Sequence, residues 1–134
     1  MSSDRKLKWL KYILLVKVFF CFFVWGLPYL LAPMAYFQRL GVPMPDDSLF
    51  IRLSGAIIIA FGVAYWYAYK DPIHNVAIVK AGVVDNGLVT LVIFVFMAFY
   101  NLRSVVVLAS GLLTFIFFIS FLLLMPKPEA AQHR

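Results

Sequence analysis

The sequence predicts an all-α integral membrane protein, a four-helix bundle that forms a single transmembrane domain over residues 1–134. Composition carries the first part of this prediction: 64% of the residues are hydrophobic and only 13% are charged, whereas a soluble domain has roughly 25% charged residues. The apolar residues also cluster into runs of about 20, the length that a helix needs to cross a bilayer. We expect helices because lipid offers no hydrogen-bond partner to a free backbone group.

Four apolar runs define the predicted spans, over residues 12–31, 49–69, 77–100 and 104–125. The first follows a basic stretch, DRKLKWLK, but it is longer than the hydrophobic part of a cleaved signal peptide, so we expect it to remain as a span. In the loop before the second span, residues 34–40 predict a short helix at the membrane interface. Asp46, Asp47 and Ser48 can then cap the second span.

The distribution of basic residues predicts how the chain is oriented. One side of the membrane would carry eight of them: Arg5, Lys6, Lys8, Lys11, Lys70, Lys80, Lys127 and Arg134. The other side would carry three: Arg39, Arg52 and Arg103. Because basic residues accumulate on the cytoplasmic side of membrane proteins, we expect an inner-membrane protein with both termini in the cytoplasm.

The second span has the clearest packing signal. Alanine recurs at every fourth position, and we call these residues the alanine stripe: Ala56, Ala60, Ala64 and Ala68. Small residues at this spacing let helix backbones approach closely in lipid. The stripe therefore predicts a packing face, either within the monomer, which we favour because three other spans can cover it, or between two copies. Gly55 and Gly62 lie beside it.

Four polar residues within the spans are the candidate functional residues: Lys17, Arg52, Asp85 and Asn86. If the third span starts near Val76, Asp85 lies ~13 Å deep at ~1.5 Å per residue. Lys17 can then pair with Asp85, because an unpaired charge at that depth is costly. Alternatively the span begins only at Asp85, with Asp85 or Asn86 as its cap and Lys17 extended to the headgroups. We favour the cap, because Asp-Asn-Gly suits a helix start better than a helix interior.

The remaining polar and aromatic residues have ordinary roles available to them. Arg52 lies one turn inside the second span and is expected to extend to the headgroups, with Asp46, Asp47 or an anion as alternative partners. Trp25 and Tyr29 are expected to be interfacial anchors, and a slot for a quinone or lipid is the alternative. Serine and threonine in the spans are expected to form hydrogen bonds between helices: Ser54, Ser110 and Thr114.

Several classes of chemistry find no support in the sequence. His, Cys and acidic residues do not converge at metal-ligand spacing, and no predicted span contains a histidine for haem. The single cysteine, Cys21, cannot form an internal disulfide. No nucleophile and base are paired in the manner of Ser-His. We therefore expect no catalytic set, no metal and no cofactor, and we assign the net charge of +6 to membrane orientation, not to nucleic acid.

Two stretches resemble a known family. The segment LAPMAYFQRLGVPMP is similar to the proline-punctuated turn that closes the first span of DoxX-like small membrane proteins. The segment FIRLSGAIIIAFGVAYWYAYKDP resembles their second span. This resemblance covers residues 30–72 and implies a four-helix membrane bundle, in a group of which some members are partners of quinone-linked oxidoreductases. It carries over no catalytic residue, because the similar positions are structural.

The functional expectation is a small multi-pass membrane protein that acts as a non-enzymatic accessory or binding subunit. Its partners would be membrane lipids and either another membrane protein or further copies of this chain. One alternative is a small oligomeric transporter that uses Asp85, although Lys17 would neutralise that carboxylate. The other is an enzyme subunit that acts on a lipid or quinone, with the aromatic residues forming its slot.

Overall fold

The structure is a computed structural model that describes residues 2–126. Within that range four helices are long and apolar enough to cross a membrane: Ser3–Leu31, Leu49–Lys70, Val76–Phe99 and Val105–Leu124. We call them the first to the fourth spanning helix. They confirm the predicted four-helix membrane bundle, and the largest difference in bounds is that the first helix begins at Ser3. Lys127 and Arg134, which entered the charge count, lie outside the described residues.

The four helices form a ring around a common centre. The first packs against the second and the fourth, and the third packs closely against the fourth, while the second and third have the least contact of the neighbouring pairs. Lys11 Nζ lies 3.5 Å from the carbonyl oxygen of Lys70, so the start of the first helix meets the end of the second. We call this the tail end of the bundle, and the opposite end the far end. The outer faces are strongly apolar, as a surface in lipid requires.

Glycine, not alanine, makes the closest helix contact. A Cβ atom placed on Gly55 would lie 2.5 Å from the backbone nitrogen of Leu30, so the second helix and the end of the first touch backbone to backbone. Gly62 is also buried against the first helix. The prediction that the alanine stripe packs within the monomer is wrong for its first half, because Ala56 and Ala60 are exposed; packing between two copies stays a prediction.

The first spanning helix changes its winding in the middle. Residues Phe20–Gly26 form a π-helical segment, and the backbone N–H of Leu27 bonds to the carbonyl of Phe22, five residues back. Pro28 follows at once, and a proline supplies no N–H to the preceding turn. A π-helical turn accommodates such a gap and rotates the side chains around it. The residues beyond Phe20 therefore face the bundle at a different angle from those before it.

The third spanning helix is continuous from Val76 to Phe99, so Asp85 and Asn86 lie in its interior. The prediction that one of them caps the helix is wrong. The chain turns earlier, where the Asp71 carboxylate accepts the backbone N–H of His74 at 3.1 Å and faces the His74 ring at 2.7 Å. These contacts, the backbone hydrogen bond first, hold the pKa of the Asp71 carboxyl below its usual range. Because the chain turns here, the third helix begins at Val76, nine residues before Asp85.

The long loop at the far end follows its prediction. Met34–Arg39 forms the short helix expected there. Asp47 Oδ1 accepts the backbone N–H of Leu49 at 2.8 Å, which satisfies one of the free donors at the start of the second helix. Gly41 adopts a φ of 65°, a backbone conformation in which glycine carries no steric cost.

Candidate binding cavity

A cavity of about 320 Å³ lies at the centre of the bundle. All four spanning helices line it; the first does so with every fourth residue from Lys17 to Tyr29. This spacing is that of one helical face. The walls are mainly apolar, with the charged groups of Lys17 and Asp85 toward the tail end and Ser54 toward the far end. Small-molecule sites in proteins have this character and begin at about this size.

Lys17 is the most unusual residue in the cavity, because it is a lysine that is only 3% exposed. Its ammonium donates a hydrogen bond of 2.6 Å to Asn86 Oδ1. Three aromatic rings surround it, with centroids at 5.2 Å for Trp25, 5.7 Å for Tyr65 and 4.8 Å for Phe117. Aromatic faces attract cations, and more strongly where water is excluded. The cap hypothesis required Lys17 to extend to the headgroups, and in the structure it does not.

Asn86 is the partner that the sequence did not predict for Lys17. It is fully buried, and its side-chain amide also donates to the carbonyl oxygen of Gly82 at 2.7 Å. Asp85, next to it, instead lies 3.4 Å from the Tyr65 hydroxyl and forms no direct ion pair with Lys17. The alternative of a long third helix with a buried Lys17–Asp85 pair is therefore right about the helix and about the burial of Lys17, and wrong about the partner of Lys17.

Gly82 makes room for this arrangement. A Cβ atom at that position would lie 2.9 Å from the Tyr65 hydroxyl oxygen and 3.0 Å from the ring of Phe121. Any side chain there would displace the tyrosine that meets Asp85. Tyr65 itself is fully buried, so it is part of the core of the bundle.

Hydroxyl groups connect the helices around the cavity. Trp25 Nε1 donates to Ser110 Oγ at 3.3 Å and so joins the first helix to the fourth. The hydroxyls of Thr90 and Thr114 lie 2.9 Å apart and join the third helix to the fourth. The expected interhelical bonds are confirmed for Ser110 and Thr114, whereas the Ser54 hydroxyl donates to a carbonyl of its own helix at 2.8 Å.

Arg52 fixes the far end of the first helix. Its guanidinium donates to the carbonyl oxygen of Tyr29 at 3.1 Å. That carbonyl would bond to the backbone N–H four residues later, but the residue there is Pro33, which has none. Arg52 therefore supplies the missing donor, and this contact replaces the expected reach to the headgroups or to an aspartate of the loop.

Trp25 and Tyr29 line the cavity, which matches the slot that the sequence predicted only as the alternative to interfacial anchors. The signal was present in the period of four that links them to Lys17 through Cys21. It was hidden because the whole first span is apolar, so that its inward and outward faces look alike.

The arrangement can hold a lipid-soluble molecule against a buried hydrogen-bond donor. Among residues 2–126 no group of three or more His, Cys, Asp or Glu side chains is placed to hold a metal ion. No protein-family model, curated protein or solved structure matches this chain. The function is therefore inferred from the chemistry of the cavity.

Proposed function

We propose that this multi-pass membrane protein is a non-enzymatic binding subunit that holds one small lipid-soluble molecule in its central cavity. The observation that carries the proposal is Lys17, a cation buried in a cavity of about 320 Å³ that all four helices line. A charged side chain inside a membrane bundle is costly and marks a functional site by default. If this region were only a structural core, apolar side chains would fill it at a lower cost in free energy than a buried lysine beside a cavity.

The other polar groups of the cavity favour binding over catalysis. Asn86 bonds to Lys17 and to its own helix, and Trp25 bonds to Ser110. These side chains are occupied in positioning one another and the helices. A reaction would need Lys17 and Asp85 to act together as acid and base. Asp85 instead faces the Tyr65 hydroxyl, and Lys17 bonds to Asn86. A binding role requires no change in these hydrogen bonds.

The membrane and the topology are part of the proposal. The eight-to-three distribution of basic residues supports an inner-membrane location with both termini in the cytoplasm. Reporter fusions at Arg134 and within the loop of residues 41–45 test this orientation, and an outward-facing signal at Arg134 would reverse it. A relationship to DoxX-like proteins is likewise a proposal, and it would add an oxidoreductase as the partner of this subunit.

The test of the binding function is purification from native membranes in a mild detergent, followed by mass spectrometry of bound lipids, quinones and proteins. We expect one small lipophile at close to one molecule per chain. Val89→Phe, which fills the cavity, should remove it, whereas Val92→Phe on the exposed face of the same helix should keep it. Equal content in the two variants, or no bound lipophile in the parent protein, would contradict the proposal.

A transporter is the second candidate, and it has one observation in its favour. Asp85 lies in the interior of a spanning helix, is only partly buried and lines the cavity. A cation pathway would require its carboxylate, so Asp85→Asn would abolish cation flux into vesicles that contain the purified protein. Binding of a lipophile does not require cation flux, and the two functions are therefore separated by this measurement.

A further inference from the structure

We infer that the cavity takes an uncharged lipophile with a hydrogen-bond acceptor at its head, and that this molecule enters from the lipid between the second and third spanning helices. The inference rests on the proposed binding function and specifies its ligand class and its route. Three features of the cavity carry it: the balance of its charges, its spare hydrogen-bond donors and the packing around its mouth.

The charges of the cavity are already balanced. Lys17 and Asp85 are the cation and the carboxylate that line it. Each has a neutral partner, the amide of Asn86 for the ammonium and the hydroxyl of Tyr65 for the carboxylate. Because each charged group already has its own partner, a charged ligand would bring a further charge into the cavity without a free counter-charge, which is expensive away from water. A neutral ligand adds no such cost.

The spare donors of the cavity belong to Lys17. An ammonium has three N–H groups, and among residues 2–126 Lys17 donates to one acceptor, Asn86 Oδ1. The nearby indole N–H of Trp25 is used by Ser110. A carbonyl, ether or hydroxyl oxygen of the ligand would therefore find its donor at Lys17. The apolar walls, which include Ile58 and Phe61, suit the rest of the molecule.

The mouth of the cavity lies between the second and third helices. Ile57 on the second and Val89 on the third both line the cavity, yet they are 57% and 38% exposed. Glycines let the helices on either side of the mouth pack closely. Gly55 brings the second helix against the backbone of the first. Gly87 brings the third helix against the fourth, since a Cβ atom there would lie 3.1 Å from the Phe118 ring. A ligand tail can thus extend sideways into the lipid.

The ligand class is tested by fluorescence quenching in lipid vesicles that contain the full-length protein. Trp9→Phe and Trp66→Phe, both at exposed positions away from the cavity, leave Trp25 as the only tryptophan. The probes are three bromine-carrying chains of equal length: an alkyl methyl ketone, an alkyl sulfonate and an alkyl trimethylammonium. We expect the ketone to quench Trp25 saturably, at a concentration at least ten-fold below that needed for either charged chain.

Three variants locate the effect. Val89→Phe should weaken the ketone at least ten-fold, and Val92→Phe, matched in size on the outer face, should leave it unchanged. Lys17→Met combined with Asn86→Leu removes donor and acceptor together, so the fold is kept, and it should abolish the preference for the ketone over a plain bromoalkane. A charged probe that binds as tightly as the ketone would overturn the ligand class while leaving a binding function. Unsaturable quenching by all three probes would instead count against the binding function itself.

The route is tested separately by closing the mouth. Cysteines at Ile57 and Val89, in a Cys21→Ala background, are joined by a bifunctional thiol reagent that a reductant cleaves. Association of the ketone should slow at least ten-fold when the reagent is in place and recover on reduction. The reduced double variant is its own control for the effect of the two substitutions. An unchanged association rate would place the entrance elsewhere.

Discussion

The hydrogen bond between Lys17 and Asn86 leads to the most specific prediction. Asn86→Leu keeps the number and branching of the side-chain heavy atoms and removes the acceptor that lies 2.6 Å from the ammonium. The carbonyl of Gly82, which also loses a donor, keeps its backbone partner in the helix, so this loss is small. The ammonium, at 3% exposure, keeps only its aromatic neighbours. Leaving a buried polar group without its hydrogen-bond partner costs about 1–3 kcal/mol, and more when the group is charged, while cation–π attraction offsets part of the cost. We expect Asn86→Leu to lower the free energy of unfolding by about 3 kcal/mol.

The complementary changes turn this value into a measured coupling. Lys17→Met leaves the Asn86 amide oxygen buried without a donor, which costs about 1–3 kcal/mol. The double variant has neither the charge nor the unsatisfied amide, and replacing both partners by apolar groups is close to neutral. The double variant should therefore be more stable than Asn86→Leu alone, and the coupling energy between the two positions should approach the sum of the two single losses, about 4–6 kcal/mol.

The assay is unfolding of the four proteins in mixed detergent micelles by titration with a denaturing detergent, followed by far-ultraviolet circular dichroism. All four should begin with the same helix content. Effects that add within about 0.5 kcal/mol are the signature of independent sites. Such additivity would mean that the ammonium does not depend on Asn86, and the reasoning about the buried cation would be refuted.

Three further predictions use the same unfolding measurement. Gly55→Ala should cost about 3 kcal/mol, because its new Cβ would lie 2.5 Å from a backbone nitrogen that cannot move away. Ala60→Leu, at an exposed position, should change stability by less than about 0.5 kcal/mol. A larger loss for Ala60→Leu than for Gly55→Ala would restore the alanine stripe as the packing face. Asp85→Asn should cost about 1 kcal/mol or less, since asparagine can still accept the bond from the tyrosine hydroxyl at 3.4 Å; a loss near 3 kcal/mol would indicate that the carboxylate itself compensates the buried ammonium. Arg52→Met should cost about 1 kcal/mol, because the carbonyl at the end of the first helix loses its donor, and Arg52→Lys should recover part of it; equal losses in the two variants would show that packing of the side chain matters, not the donor.

The sequence by itself determined the architecture. Runs of about 20 apolar residues have one stable solution in lipid, a helix that satisfies its own backbone groups. The four spans, the short helix at Met34–Arg39 and the cap at Asp47 follow from local rules of this kind. Each depends on residues that are neighbours in the chain, which is why each could be predicted.

Tertiary structure decided which face of each helix is inside. In a soluble bundle the polar face identifies the outside, but in lipid both faces are apolar and the pattern loses that information. The sequence therefore predicted the alanine stripe as the packing face of the second helix, whereas in the structure that face contains Gly55 and Gly62. The inward position of Trp25 depends on the same choice and on the π-helical segment around it.

Tertiary structure also chose the partner of Lys17. Depth along the membrane normal brought two adjacent candidates within reach, Asp85 and Asn86, and successive residues of a helix point about 100° apart. Only the rotation of the third helix separates them. The packing of Gly82 against Tyr65 and Phe121 sets that rotation, and it turns Asn86 toward the ammonium and Asp85 toward the tyrosine.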